Sequence, residues 1–141
     1  MTMQTALDPV EKLVAIGLGA VFLLLGGLFI VLPSWGALLF GIDAPQGEGL
    51  SYVRAIGFRD LALGLYVAGL ALWSNRRALC IVLALTTIIP VMDFALVLAL
   101  KGLAAIPNLV LHGISGAIFI GTASWIGLRQ GGPHDSAQDR Q

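Results

Sequence analysis

Apolar residues dominate four long stretches of this chain, at residues 13–32, 53–73, 78–100 and 109–128. Each is long enough for the roughly 20 helical residues that a bilayer crossing takes. The runs are continuous and do not alternate with period two, so they read as membrane helices and not as strands of a β-barrel. Lipid offers no partner to an unpaired backbone amide, and each stretch is therefore expected to be helical throughout. Asp8, Pro9 and Glu11 open the first stretch as an N-cap, a proline at the first helical position and a capping-box glutamate. Pro33 ends it. The segment 34–52 carries Trp35, Leu38, Leu39 and Phe40 before Pro45, Gly47 and Gly49, which predicts a short interfacial helix and then a mobile turn. The expected architecture is all-α: a four-transmembrane-helix bundle with a short interfacial helix between helices 1 and 2. It divides into a cytoplasmic lead-in (1–12), a membrane domain (13–128) and a disordered cytoplasmic tail (129–141) that holds His134.

Composition agrees. Of the 141 residues 57% are hydrophobic and only 11% charged, mean hydropathy is +0.91, and eight basic residues balance eight acidic ones. A soluble domain is about 25% charged. Neutrality removes the case for nucleic-acid binding. The single Cys80 excludes an intramolecular disulfide and multi-cysteine metal or redox motifs. A secretory signal peptide fits poorly, because the first apolar run is too long and is preceded by Asp8 and Glu11. No internal repeat supports an inverted-repeat transporter. With four spans, both termini share a side with loop 74–77, and that side holds Lys12, Arg76, Arg77, Arg129 and Arg140. The opposite side holds Lys101, Asp43, Glu48 and Arg54 at a helix end. The positive-inside bias places both termini in the cytoplasm, with the protein multi-pass in the cell membrane.

The informative residues are the ionisable ones inside the spans. Arg59 and Asp60 lie in the second span, Asp93 in the third and His112 in the fourth. A charge at mid-bilayer costs about 2.5–3.5 kcal/mol, so such groups face the bundle and find partners. Counted from the span ends, all four fall roughly 5–10 Å below the outer surface, which predicts one polar layer drawn from three helices. On the second helix Gly57, Asp60 and Gly64 share a face, while Tyr52, Arg59 and Tyr66 repeat every seven residues beside it. Thr86, Pro90 and Asp93 align on the third, where Pro90 frees the carbonyl of Thr86. Asn108, His112, Ser115 and Thr122 form a polar stripe on the fourth. Gly113, Ala117 and Gly121 form a small one suited to close helix contact, and Gly17, Gly19, Gly26 and Gly27 suggest tight packing in the first span. Each feature also has a structural reading: Arg59 and Asp60 as a neutralising pair, His112 as a hydrogen-bonded histidine, Asp93 in a salt bridge to Arg59 or Arg54, and Trp35, Trp73 and Trp125 as interface anchors.

The run Arg54-Ala-Ile-Gly57-Phe-Arg59-Asp60-Leu-Ala-Leu-Gly64, with Pro90-Val-Met-Asp93 and Leu111-His112-Gly113, resembles the small four-helix membrane proteins grouped as domain of unknown function 4267, a group similar in architecture to DoxX-like bundles. The resemblance covers about residues 10–128. It implies a fold and a polar constellation of Arg54, Arg59, Asp60, Asp93 and His112, and no established reaction.

Phosphate-loop, nucleophile-elbow, metalloprotease and haem-attachment motifs are absent. Asp60, Asp93 and His112 lack the helical i, i+4 spacing of a metal site, so neither a metal nor another cofactor is expected. Three functions compete. In the first, an apolar small molecule enters from the outer leaflet and is held, or isomerised, cyclised or opened at an epoxide, beneath a loop acting as a lid. Asp93, His112 and Asp60 would then be the acid/base groups, and Arg54, Arg59, Tyr52, Tyr66, Asn108 and Ser115 would contact the substrate. In the second, the same charges lock the helices of a structural or accessory subunit among membrane lipids. In the third, a homo-oligomer forms a small proton-coupled exporter.

Overall fold

A computed structural model of the protein describes residues 6–129. Within them every element is helical: α1 (Pro9–Val31), α2 (Pro33–Phe40), α3 (Gly49–Trp73), α4 (Arg76–Thr86), α5 (Ile88–Lys101), a 3-10 turn (Gly102–Ala105) and α6 (Ile106–Leu128). The helix of the 34–52 segment is α2. The expected tail lies outside the described residues apart from Arg129. Three helical stretches are long and apolar enough to cross a membrane: α1, α3 and the run Arg76–Leu128. Bulky apolar side chains project from all of them, Leu24 at 75%, Leu65 at 61% and Leu128 at 82% exposure. Such continuous apolar exterior suits hydrocarbon and not water, and the chain is a membrane protein.

The long C-terminal run is folded back on itself. Pro90 has no N–H to give the Thr86 carbonyl, and the helix breaks at Thr87, whose N–H turns back to Ala84 O (3.3 Å) and whose hydroxyl donates to Leu83 O (3.1 Å). After the 3-10 turn, α6 returns along the α4–α5 limb, with Gly116 beside Pro90 and Gly127 beside Cys80. The four limbs thus form two antiparallel hairpins, α1 with α3 and α4–α5 with α6.

The α1–α3 hairpin is held by glycine. A Cβ placed on Gly26 would lie 2.7 Å from the Gly57 carbonyl oxygen, and one on Gly57 would lie 2.8 Å from that of Gly26. Gly19 and Gly64 repeat the arrangement one heptad away, at 2.9 and 2.7 Å. At both crossings the backbones themselves touch, which only glycine permits. The expectation of tight packing holds for Gly19 and Gly26 but not for Gly17 and Gly27, where an added Cβ meets nothing within 4 Å. The small stripe of α6 is likewise corrected. Gly113 and Gly121 have open space, and Gly116 makes the helix contact instead.

The hairpins meet through two apolar clusters. Near the chain termini Ala15, Val67, Ala71, Leu79, Leu83, Phe119, Ala123 and Ile126 pack together; at the far end Phe29, Ala37, Phe40, Val53, Val97 and Leu109 do so. The order is the same along all four limbs, so one intervening layer separates the clusters. Charge closes the terminal end. The Glu11 side chain is fully buried and accepts from Arg76 Nη2 (2.7 Å) and Nε (3.1 Å) while also closing the capping box on the Asp8 N–H. Asp8 caps the Glu11 N–H and pairs with Arg129 (2.8 Å), whose guanidinium lies 4.5 Å above the Trp125 ring. The Glu11 N–H, opposed by partial burial and aided by Arg129, holds the Asp8 carboxyl below its ordinary value. A depressed carboxyl stabilises the fold above its unfolded pKa, and that contribution is lost as pH falls through the depressed value.

Two outcomes are expected in thermal or SDS-induced unfolding of the purified protein. Gly26→Ala should destabilise by about 1–3 kcal/mol through backbone overpacking, while Gly27→Ala should be neutral or slightly stabilising. Arg76→Ala should cost about 3–5 kcal/mol, because it strands the buried Glu11 carboxylate.

Candidate functional site

The layer between the clusters encloses a cavity of about 250 Å³. Its apolar walls are Phe22, Leu25 and Phe29 of α1, Leu39 and Phe40 of α2, Ile89 and Pro90 of α5, and Leu111 and Phe119 of α6. The polar lining is Arg59 and Asp60 of α3, Asp93 of α5, and His112 and Ser115 of α6. Leu39 (36% exposed) and Leu111 (40% exposed) stand at its rim, on the exterior that the apolar surface assigns to lipid.

Arg59 organises the polar side. Its Nε donates to Asp60 Oδ1 at 3.1 Å, and its Nη1 and Nη2 face the two Asp93 oxygens at 3.5 and 3.4 Å. One guanidinium therefore bridges its own helix and the opposite hairpin. Adjacent positions on a helix diverge by about 100°, so Asp60 is buried with Gly57 and Gly64 while Arg59 leaves from the neighbouring face and reaches round. Counted along the helix axes, the layer lies about 9–17 Å from the far helix ends. That is deeper than the span limits imply, because α3 begins at Gly49 and α6 at Ile106, each several residues earlier than the apolar run.

His112 and Asn108, four residues apart on α6, complete the end of α2. The last carbonyls of a helix have no partners within it. Asn108 Nδ2 donates to Leu38 O (3.0 Å) and Leu39 O (2.8 Å), and His112 Nε2 lies 2.8 Å from Phe40 O. A carbonyl only accepts, so Nε2 carries the proton, and Nδ1 is the nitrogen left to accept one. Phe40 also meets the imidazole edge-on at 5.0 Å between ring centres. Gly41 makes the approach possible: it sits at φ +107°, and a Cβ there would lie 2.8 Å from Asn108 Cβ. α2 is thus both a wall of the cavity and a plate fastened down by α6.

The other residues expected at the site are placed elsewhere. Tyr52 and Tyr66 are 77% and 61% exposed on the outside of α3 and do not line the cavity. Arg54 turns to the Ile30 carbonyl at 3.4 Å. Asn108 borders a separate surface hollow beside Asp43 and Lys101, which pair at 2.6 Å. Ser115 lines the cavity, with its hydroxyl donated back to Leu111 O (2.8 Å). Among the described residues no three His, Cys, Asp or Glu side chains gather as a metal site. Phe22, Phe29 and Phe119 were not singled out in the sequence, although Phe22 and Phe29 repeat with the same seven-residue period as Gly19 and Gly26. Nor was Glu11–Arg76, whose members each have a sufficient local explanation, one as a cap and the other as a loop cation.

Set against the curated proteins and the solved structures, the chain matches none. A family model described as "Domain of unknown function (DUF4267)" matches residues 19–126, a stretch that contains every residue lining the cavity. The match covers well over half of the sequence, and the chain belongs to that family.

Proposed function

We propose that the protein crosses the cell membrane four times, with both termini in the cytoplasm, and takes an apolar small molecule from the outer leaflet into the cavity between its two hairpins. The observation that carries this reading is the cavity itself, walled by hydrocarbon and aromatic side chains and touched on one side by Arg59, Asp60, Asp93 and His112. A bundle that needed these charges only for cohesion would gain by filling that space, since close packing is the rule in protein interiors. The four crossings are α1, α3, the α4–α5 limb and α6. The orientation follows the concentration of Lys12, Arg76, Arg77 and Arg129 at the terminal end.

Such a site suits acid/base chemistry without a redox partner. Asp93, held by Arg59 at the cavity wall, lends or takes a proton, and His112 Nδ1 takes or returns one, so that isomerisation, cyclisation or epoxide opening proceeds with protons balanced. Asp60 keeps the Arg59 guanidinium in place.

A second reading is favoured by the ion pairs. Arg59 joins the two hairpins, and the charges then serve as structure for a bundle that supports a membrane partner. The two readings separate in one experiment. Wild-type protein and Asp93→Asn are purified in native-lipid nanodiscs, and their bound small molecules are compared by mass spectrometry. The proposal expects a distinct apolar compound in the wild type that is lost or chemically altered in the variant. Bulk lipid alone in both, together with recovery of abundance by the exchange Arg59→Asp with Asp93→Arg, would overturn it in favour of the structural role.

A further inference from the structure

The charge inventory of the cavity narrows the chemical class of its occupant, an inference that rests on the binding reading above. Two carboxylates, Asp60 and Asp93, share a single guanidinium. Among the described residues no lysine and no second arginine lines the space. Of the other described cations, Arg76 pairs with Glu11, Arg129 with Asp8 and Lys101 with Asp43, Arg54 meets a backbone carbonyl, and Lys12 and Arg77 do not line the space. The Nε2 of His112 is taken up by the Phe40 carbonyl. Two carboxyl groups therefore face one guanidinium within a wall of low dielectric, where an acceptor oxygen without a donor is costly.

The unmet acceptor capacity has a specific address. Asp60 has a side chain only 6% exposed, and Arg59 engages its Oδ1; among the described residues no donor reaches its Oδ2. The contacts of Arg59 with Asp93 are long, at 3.4 and 3.5 Å, so that carboxylate too has acceptor capacity to spare. Around them stand Phe22, Phe29, Phe40 and Phe119. Carboxylate oxygens with unused lone pairs, set among phenylalanine rings, form the environment in which an organic cation leaves water at least cost. An anionic head group meets the opposite conditions, because Arg59 already directs Nε, Nη1 and Nη2 at two carboxylates that would repel it.

We infer that the cavity between the hairpins binds a lipophilic ammonium compound, with its apolar body among the phenylalanines and its charged nitrogen between Asp60 and Asp93. The N–H groups of a protonated amine would fill the open carboxylate oxygens. The ammonium comes either from a free amine or from the head group of an outer-leaflet lipid.

Three cages of one shape and different charge test this. Binding of 1-aminoadamantane, 1-adamantanol and 1-adamantanecarboxylate is measured by calorimetry on the full chain in nanodiscs, with uptake by empty discs subtracted. The amine is expected to bind about tenfold or more tighter than the alcohol, with the carboxylate weakest. Asp93→Asn and Asp60→Asn should each reduce the preference for amine over alcohol to within about twofold. The wild-type comparison stands even if either variant fails to fold. If the alcohol binds and the amine binds no better, the cation inference falls and the apolar-ligand reading survives; if no cage binds, both fall. Repeating the titration in phosphatidylglycerol and in phosphatidylethanolamine discs separates the two sources. Equal amine affinity in both assigns the site to a free amine, whereas amine binding weakened only by phosphatidylethanolamine assigns it to that lipid's ammonium group.

Discussion

A charge that enters hydrocarbon must find its partner inside the protein, and that requirement governs how this chain folds above the level of its helices. Arg59 answers it twice, through Asp60 on its own helix and Asp93 on the opposite hairpin. Glu11 and Arg76 answer it at the terminal end, across the same division between hairpins. Apolar side chains alone would leave the relative rotation of the limbs loosely specified, because lipid tails and leucine side chains solvate one another about equally well. The ion pairs are directional, and two of them at different depths fix the hairpins against sliding and turning.

Glycine supplies the complementary constraint within one hairpin. Contact of the α1 and α3 backbones at Gly19–Gly64 and Gly26–Gly57 brings these helices as near as they can come. Among the described residues no comparable contact of helix backbones joins the two hairpins. The space left between them is large enough for a cavity, and it falls at the depth where the charged residues have to be. Tight packing on one side of the bundle and an open layer on the other are two consequences of where glycine occurs and where it does not.

α2 shows how economically the polar side chains are used. A helix of eight residues lying across the bundle end has carbonyls with no partners of its own. Asn108 and His112, one turn apart on α6, meet three of them in succession. His112 thereby joins the wall of the cavity to its cover, and its tautomer is set by a structural bond. A group can thus serve the fold and keep one nitrogen for chemistry; the two roles of His112 are compatible in geometry.

Much of this was legible in the sequence. The apolar runs, Pro33 and the Asp8–Glu11 capping box determined the helices and most of their limits, because hydrogen bonding in lipid leaves the backbone no alternative. Shared depth brought Arg59, Asp60, Asp93 and His112 into one layer before any packing was known, since helix rise is fixed at 1.5 Å per residue. Azimuth is another matter. Which side of a membrane helix faces a neighbour depends on what that neighbour presents, so Gly19 and Gly26 could not be told from Gly17 and Gly27, nor Gly116 from Gly113. For the same reason Tyr52 and Tyr66 looked like companions of Arg59 but lie outside, and Arg76 looked like a loop cation but is joined to a buried glutamate 65 positions earlier. Sequence determined the helices and the common layer of their charges; only the tertiary structure decided which faces meet, because contact across helices is a property of pairs.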